Sequence, residues 1–268
     1  MHHLARMENE YRYPYLSPRE LLSRLTEKAI LYLPIGSLEW HNEHLPLGTD
    51  TFHAMELSMR LCAEIGGVVL PAFWWNTSGW PHPSTYLMPQ PLYRDVLKNV
   101  CLGLRPLPAT LLVLVNGHGS TFQHNAIPIV AGELNDSDFP MQVILADPLR
   151  LGTASSCRLD HADTGETSFS LEIIPQLVRM DRVIEPDLLS AEQPFARGQP
   201  DRKGGQELWR AYFEDAKVLI ASEYARLKPA VPASAEELWK LAWGIPETWG
   251  MPPHMQTQPA EPTGAEDG

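Results

Sequence analysis

Ala29-Ile30-Leu31-Tyr32-Leu33-Pro34-Ile35 runs directly into Gly36-Ser37-Leu38-Glu39-Trp40-His41-Asn42-Glu43-His44-Leu45-Pro46-Leu47-Gly48-Thr49-Asp50. The first seven residues are apolar without interruption, the pattern of a strand buried on both faces. Just beyond that strand the chain gathers Glu39, His41 and Asp50. Carboxylates and imidazoles in company suit a divalent metal such as zinc, manganese or iron. Glu39 and His41 are two residues apart, so on extended chain they point to the same side. Asp50 opens a helix, where a carboxylate also serves as an ordinary N-terminal acid.

Outward from this stretch, strands and helices alternate. Ser17-Pro18-Arg19-Glu20 reads as a capping box with proline at the first helical position. It predicts a helix to about Thr26 that buries Leu21, Leu22 and Leu25. After Asp50, the residues Ala54, Leu57, Leu61, Cys62 and Ile65 recur at helical spacing until Gly66-Gly67 ends the run. Val68 to Phe73 reads as a second strand. The loop after it carries Trp74, Trp75, Trp80 and His82, a composition suited to a pocket wall. Trp74 and His82, together with Ser120 farther on, are the candidate substrate contacts.

Pro91 to Leu104 is predicted helical, with Tyr93, Val96, Leu97, Val100 and Leu104 inward. Leu111 to Val115 is a second unbroken apolar run. It ends in Asn116-Gly117-His118-Gly119-Ser120-Thr121, and a helix containing Pro128 follows. Met141 to Ala146 is a further strand. Next come Leu159 to Ser168, a helix predicted from about Ser168 to Arg179, a surface loop from Pro186 to Gly205, and a helix from Gln206 to Leu227. A shorter helix is expected around Ala235–Ala242, and the tail from about Gln256 has a disordered composition. The alternation implies right-handed crossovers, a mainly parallel sheet and a three-layer α/β/α sandwich. We expect one domain over residues 1–255, with 228–255 as a C-terminal extension and 256–268 as tail. In such sheets, sites form beyond the carboxyl ends of strands, where both the Glu39 segment and His118 lie.

Composition narrows the function. With 268 residues and 44% hydrophobic content the chain can bury a sizeable core. A formal charge of -12 and no clustered basic stretch exclude a nucleic-acid footprint. No window reaches the ~18 apolar residues of a membrane span, and the N-terminus lacks an apolar leader. Cys62, Cys101 and Cys157 are far apart, and their odd number speaks against a disulfide framework. These features predict a cytoplasmic protein without membrane or nucleic-acid partners.

The motifs resemble those of the creatininase (creatinine amidohydrolase/formamide hydrolase) family. The family's first motif, GSxExHGxHLPLxTD, aligns with GSLEWHNEHLPLGTD. Its second, NGHGGN, aligns with Asn116-Gly117-His118-Gly119-Ser120-Thr121. Its third, HAGxxETS, aligns with His161-Ala162-Asp163-Thr164-Gly165-Glu166-Thr167-Ser168. The resemblance runs from about Pro14 to Leu227. It implies two divalent metal ions (zinc, manganese or iron), one held by Glu39 and His118, the other by His41 and Glu166, with Asp50 between them. A metal-activated water would then cleave a C–N bond of a small amide, cyclic amide or formamide. Glu166 is counted with His161 among the catalytic residues, and His161 is a candidate proton donor to the leaving nitrogen or a histidine that orients a carboxylate. His44 and His53 are expected to be structural. The resemblance also implies a homo-oligomer, often a hexamer.

Three departures matter. Asn42 replaces a glycine, at a turn where asparagine tolerates positive φ best among the other residues. Ser120-Thr121 replaces Gly-Asn, and Asp163 replaces a glycine. They leave all five ligand candidates in place but alter the pocket, so the substrate is not expected to be creatinine. Two alternatives remain open: hydrolysis of a small cyclic ketone or lactone, and a catalytically silent metal-binding or assembly protein.

Overall fold

The computed structural model describes residues 9–147, 161–184 and 199–227. Four parallel strands, β1 (Ile30–Ile35), β2 (Val68–Val69), β3 (Leu111–Asn116) and β4 (Gln142–Ala146), lie in the order β2-β1-β3-β4. Every residue of β1 and of β3 is buried, as their unbroken apolar runs require. The register sets Ile30 opposite Leu111 and Ile35 opposite Asn116. Both central strands therefore end at one level, and the loops that leave them open side by side.

Among the described residues there are six α-helices, α1 (Pro18–Glu27), α2 (Thr49–Ile65), α3 (Gln90–Leu102), α4 (Thr121–Asn135), α5 (Thr164–Ile173) and α6 (Arg202–Arg226), of which α5 packs on α6 and α2. Side chains alternate across the strands. Leu31, Leu33, Leu112 and Leu114 meet Leu25, Leu97, Ile127 and Val130 of α1, α3 and α4. Ile30, Tyr32, Leu111 and Val113 meet Leu57 and Leu61 of α2 and Phe213 and Ala216 of α6. The three layers expected from the alternation are present. Each fully buried leucine is worth ~1.5–3 kcal/mol relative to exposure, so these two apolar layers dominate the packing energy. Among the described residues no helix is long and apolar enough to cross a membrane.

Local chemistry explains where the elements differ from expectation. The α1 capping box forms, with Ser17 N–H donating to Glu20 Oε2 at 2.8 Å, but Leu22 is only half-buried. The second strand is two residues long instead of running to Phe73. Pro71 has no N–H for the ladder, and Phe73 rejoins it by donating to Pro34 O at 2.8 Å. In α3 the inward stripe is Tyr93, Leu97 and Cys101. Val100 lies roughly 60° around the helix from its centre and is exposed.

The helix expected from Ser168 begins at Thr164, because the Asp163 carboxylate accepts from Thr164 N–H at 2.6 Å, and it ends before Pro175. α6 starts at Arg202, capped by Asp201, ahead of the expected Gln206. Gly204-Gly205 reads as loop, yet Gly205 is a packing glycine: a Cβ there would lie 1.9 Å from Ser168 O on α5. Most of the expected surface loop, the helix around 235–242, the extension 228–255, the tail and Cys157 lie outside the described residues.

Candidate metal centre

The site grows from the adjacent ends of β1 and β3. Glu39 and His41 come from the segment after β1, Asp50 from the first turn of α2, His118 from the turn after β3, and Glu166 from the first turn of α5. All five are buried. His118 Nδ1 lies 2.6 Å from Asp50 Oδ2 and 3.1 Å from Glu39 Oε2. His41 Nε2 lies 3.2 Å from Asp50 Oδ1 and 3.6 Å from Glu166 Oε1. Asp50 thus turns one oxygen to each imidazole and belongs to two triads, Glu39/Asp50/His118 and His41/Asp50/Glu166. Within each triad the candidate ligand atoms fall within 4.8 Å of one another.

Neighbouring groups aim these side chains. Carbonyls only accept hydrogen bonds. His118 Nε2, 2.8 Å from Ser78 O, therefore carries a proton and turns Nδ1 toward the carboxylates. His41 Nδ1, 3.0 Å from Glu39 O, does the same and presents Nε2. Ser37 donates its hydroxyl to Asp50 Oδ2 at 2.6 Å. Trp80 N–H donates to Glu39 Oε1, and Ala162 N–H donates to Glu166 Oε2 at 2.6 Å. The Asn116 side chain clamps the His118 backbone, accepting from its N–H at 3.2 Å and donating to its carbonyl at 2.9 Å. At Gly117 the turn presses on α2 so closely that a Cβ would sit 2.1 Å from Asp50 O.

Electrostatics follow from burial and proximity. Burial pushes the His118 ring down, but Asp50 and Glu39 outweigh it and hold the ring at about 9. Burial is likewise overcome at His41, where Glu166 and Asp50 raise the imidazole well above its ordinary value. Asp50 is buried, yet His41 and His118 drive it well below the carboxylate range. At Glu39 burial prevails and pushes the group up to about 7. Glu39 Oε2 is near His118 but receives no hydrogen bond. Buried carboxylates and imidazoles with an orphaned carboxylate oxygen are a donor set that fits divalent cations.

A cavity of about 450 Å³ opens over the cluster. Of the candidate substrate contacts, Ser120 lines it, and Trp74 and His82 do not. Trp74 packs edge-on against Phe52 at 5.4 Å, outside the cavity. His82 is exposed, stacked on Trp40 at 5.0 Å with Nδ1 at 2.7 Å from Ser84 Oγ. The loop instead contributes Ser78, Gly79, Trp80 and Pro81, and α4 contributes Phe122. Loop composition pointed to this segment, but which tryptophan turns inward depends on the loop's path.

His161 borders the cavity. It lies flat against Trp80, with ring centroids 5.5 Å apart and planes 8° from parallel. Its Nε2 donates to Trp40 O at 2.7 Å, and its Nδ1 lies 3.7 Å from Glu39 Oε1. Burial and the neighbouring His41 lower the ring to about 4, so it is neutral near pH 7 and Nδ1 is an acceptor. The expected proton donor is therefore in its accepting form. His44 and His53 have the structural contacts expected of them, with Thr167 Oγ1 at 2.9 Å and Ser170 Oγ at 2.8 Å. Asn42 adopts φ 59, as its place in a glycine-type turn predicts. Asp163 caps α5.

Comparison with known proteins gives a consistent result. The family described as creatininase, creatinine amidohydrolase, matches residues 15–229. A 3-dehydro-scyllo-inosose hydrolase of Thermotoga maritima is 24% identical over 186 residues, which cover 64% of this chain and 59% of that protein. A creatinine amidohydrolase of Pseudomonas putida is 26% identical over 178 residues, 58% of this chain and 68% of that one. A solved creatininase in a manganese form shares the fold, with a TM-score of 0.66 at 21% identity, over 80% of this chain and 99% of the other.

Proposed function

Because the chain belongs to the creatininase family, whose members are metal-dependent amidohydrolases, we propose that it hydrolyses a C–N bond of a small amide, cyclic amide or formamide with two divalent cations. The observation that carries this reading is the position of Asp50, shared between two buried carboxylate–imidazole triads. Glu39 and His118 would hold one ion, His41 and Glu166 the other, and Asp50 would reach both. Manganese and zinc suit these donors. Once bound, such ions supply a water of lowered pKa and a Lewis acid for the substrate carbonyl.

The chain's own groups do the rest. Ser78 O and Glu39 O fix the two imidazole orientations, which keeps the ligand nitrogens aimed before anything binds. Ser37 and the Trp80 and Ala162 N–H groups do so for the three carboxylates. His161 Nδ1, with Nε2–H committed to Trp40 O, accepts a proton from the attacking water and then delivers it to the leaving nitrogen. The donor role is thus the second half of its task. Trp80, flat against this ring, keeps bulk water from one of its faces.

The test is metal analysis combined with turnover of an amide, cyclic amide and formamide panel, before and after chelation. Metal-dependent turnover is expected. Protein without divalent metal, whose Glu39→Ala and His118→Ala variants bind added metal as the wild type does, would sink the proposal. The name of the Thermotoga maritima relative favours a second reading, hydrolysis of a small cyclic ketone or lactone by the same groups. Including lactones and cyclic ketones in the panel separates the two.

A further inference from the structure

We propose that the cavity continues into an apolar subsite that receives a hydrocarbon arm of the substrate; this rests on reading the site as a metal-dependent hydrolase of carbonyl compounds. Beside the cavity lies a hollow of about 480 Å³, walled by Thr77, Leu87, Met88, Pro89 and Gln90. The two spaces share Ser78, Gly79 and Phe122 in their linings, so they adjoin one another. Chemistry changes sharply over that short distance. The cavity presents the carboxylates of Glu39, Asp50 and Glu166, whereas no residue lining the hollow carries a charge.

Little side chain stands between the two spaces at Gly79. Gly79 has no side chain, and a Cβ at that position would meet the Glu39 carboxylate at 2.9 Å. Phe122, in the first turn of α4, is 60% exposed, and Leu87 across the hollow is 53% exposed. Apolar carbon left in water at the mouth of a polar site gains when an apolar group covers it. A charged or strongly hydrated arm would find no ionic partner among the hollow's residues. The occupant is therefore an alkyl or aryl substituent attached to the scissile amide or carbonyl group. The substrate is larger and more apolar than a bare small ring.

The probe is a series of n-alkyl hydroxamates, from acetohydroxamate to hexanohydroxamate, titrated calorimetrically into the full-length manganese-loaded protein. A fully buried methylene tightens binding roughly fourfold. The hollow is open on one side, so about twofold per methylene is expected, or about 15-fold across the series. Leu87→Ser alters a residue that lines the hollow and not the cavity. It should flatten this gradient and leave acetohydroxamate binding unchanged. Wild-type affinity that does not vary with chain length overturns the subsite and leaves the metal reading intact. Failure of acetohydroxamate itself to bind sinks the metal reading, and the subsite with it. A Leu87→Ser variant that keeps the gradient but has a lower mass in solution assigns the hollow to contact between copies of the chain, which also overturns the proposal.

Discussion

Stripped of divalent metal, the protein is expected to lose stability as the pH rises from about 6.5 to about 9, with His118 a principal cause. In the unfolded chain an imidazole titrates near 6.5. In the fold Asp50, at 2.6 Å, and Glu39, at 3.1 Å, outweigh burial and hold this ring at about 9. The folded state therefore binds that proton more tightly than the unfolded state does. The resulting stabilisation is complete below 6.5, fades as the pH rises, and is gone above 9. At about 1.4 kcal/mol per pH unit, the interval is worth about 3 kcal/mol, or on the order of 10 °C in melting temperature for a domain of this size. His41 acts in the same direction. Glu39, pushed from 4.5 up to about 7, loses its share earlier, between those values. Thermal and urea melts of chelator-treated wild type and His118→Asn, across this pH range, measure the slope, and the variant should lack the His118 share. Added manganese or zinc should flatten the wild-type profile, because a bound cation replaces the protons. Calorimetry in buffers of different ionisation enthalpy should show proton release on metal binding. A chelated wild type of constant stability between these pH values, or a His118→Asn variant with the full slope, would refute the reasoning.

Other perturbations test the remaining parts of the site. His161→Asn should keep the metal content and lower kcat by roughly 10²–10⁴-fold, measured on whichever panel compound is turned over. Gly117→Ala would drive a methyl against Asp50 O, so a stability loss of at least ~2 kcal/mol and weaker metal binding are expected in urea melts and metal titrations. Asn42→Gly should be tolerated, because glycine accepts φ 59. Asn42→Val should cost ~2 kcal/mol or more beyond Asn42→Gly, because a β-branched residue is strained at φ 59, whereas both substitutions lose the acceptor for Glu43 N–H and Ile184 N–H; differential melting distinguishes the two. Truncation after Leu227 is expected to lower the mass of a homo-oligomer in light scattering, and an unchanged mass would count against a role for the C-terminal extension in assembly.

The sheet was legible because its two central strands are apolar at every position, a pattern that depends on burial alone. The cluster of Glu39, His41 and Asp50 was legible because three metal-type residues recur in one short stretch directly after a buried strand. Asn42 betrayed a left-handed turn through its residue type, and φ 59 is what that residue tolerates. His118 and Glu166 carry little signal singly, and their motifs' resemblance to a known family marked them. Tertiary structure alone decided the rest. The pairing of Ile35 with Asn116 brings the two loops together, and the first turn of α5 delivers Glu166 to the other side of Asp50. Trp80 rather than Trp74 or His82 faces the cavity, because an aromatic ring packs wherever the loop carries it and composition does not record direction. Gly205 reads as loop but is a helix contact, since the reason for its missing side chain lies on α5. Local chemistry sets which residues can form a strand, cap a helix or hold a metal. Which of them meet is set by packing between segments distant in sequence, where geometry rather than residue type makes the selection.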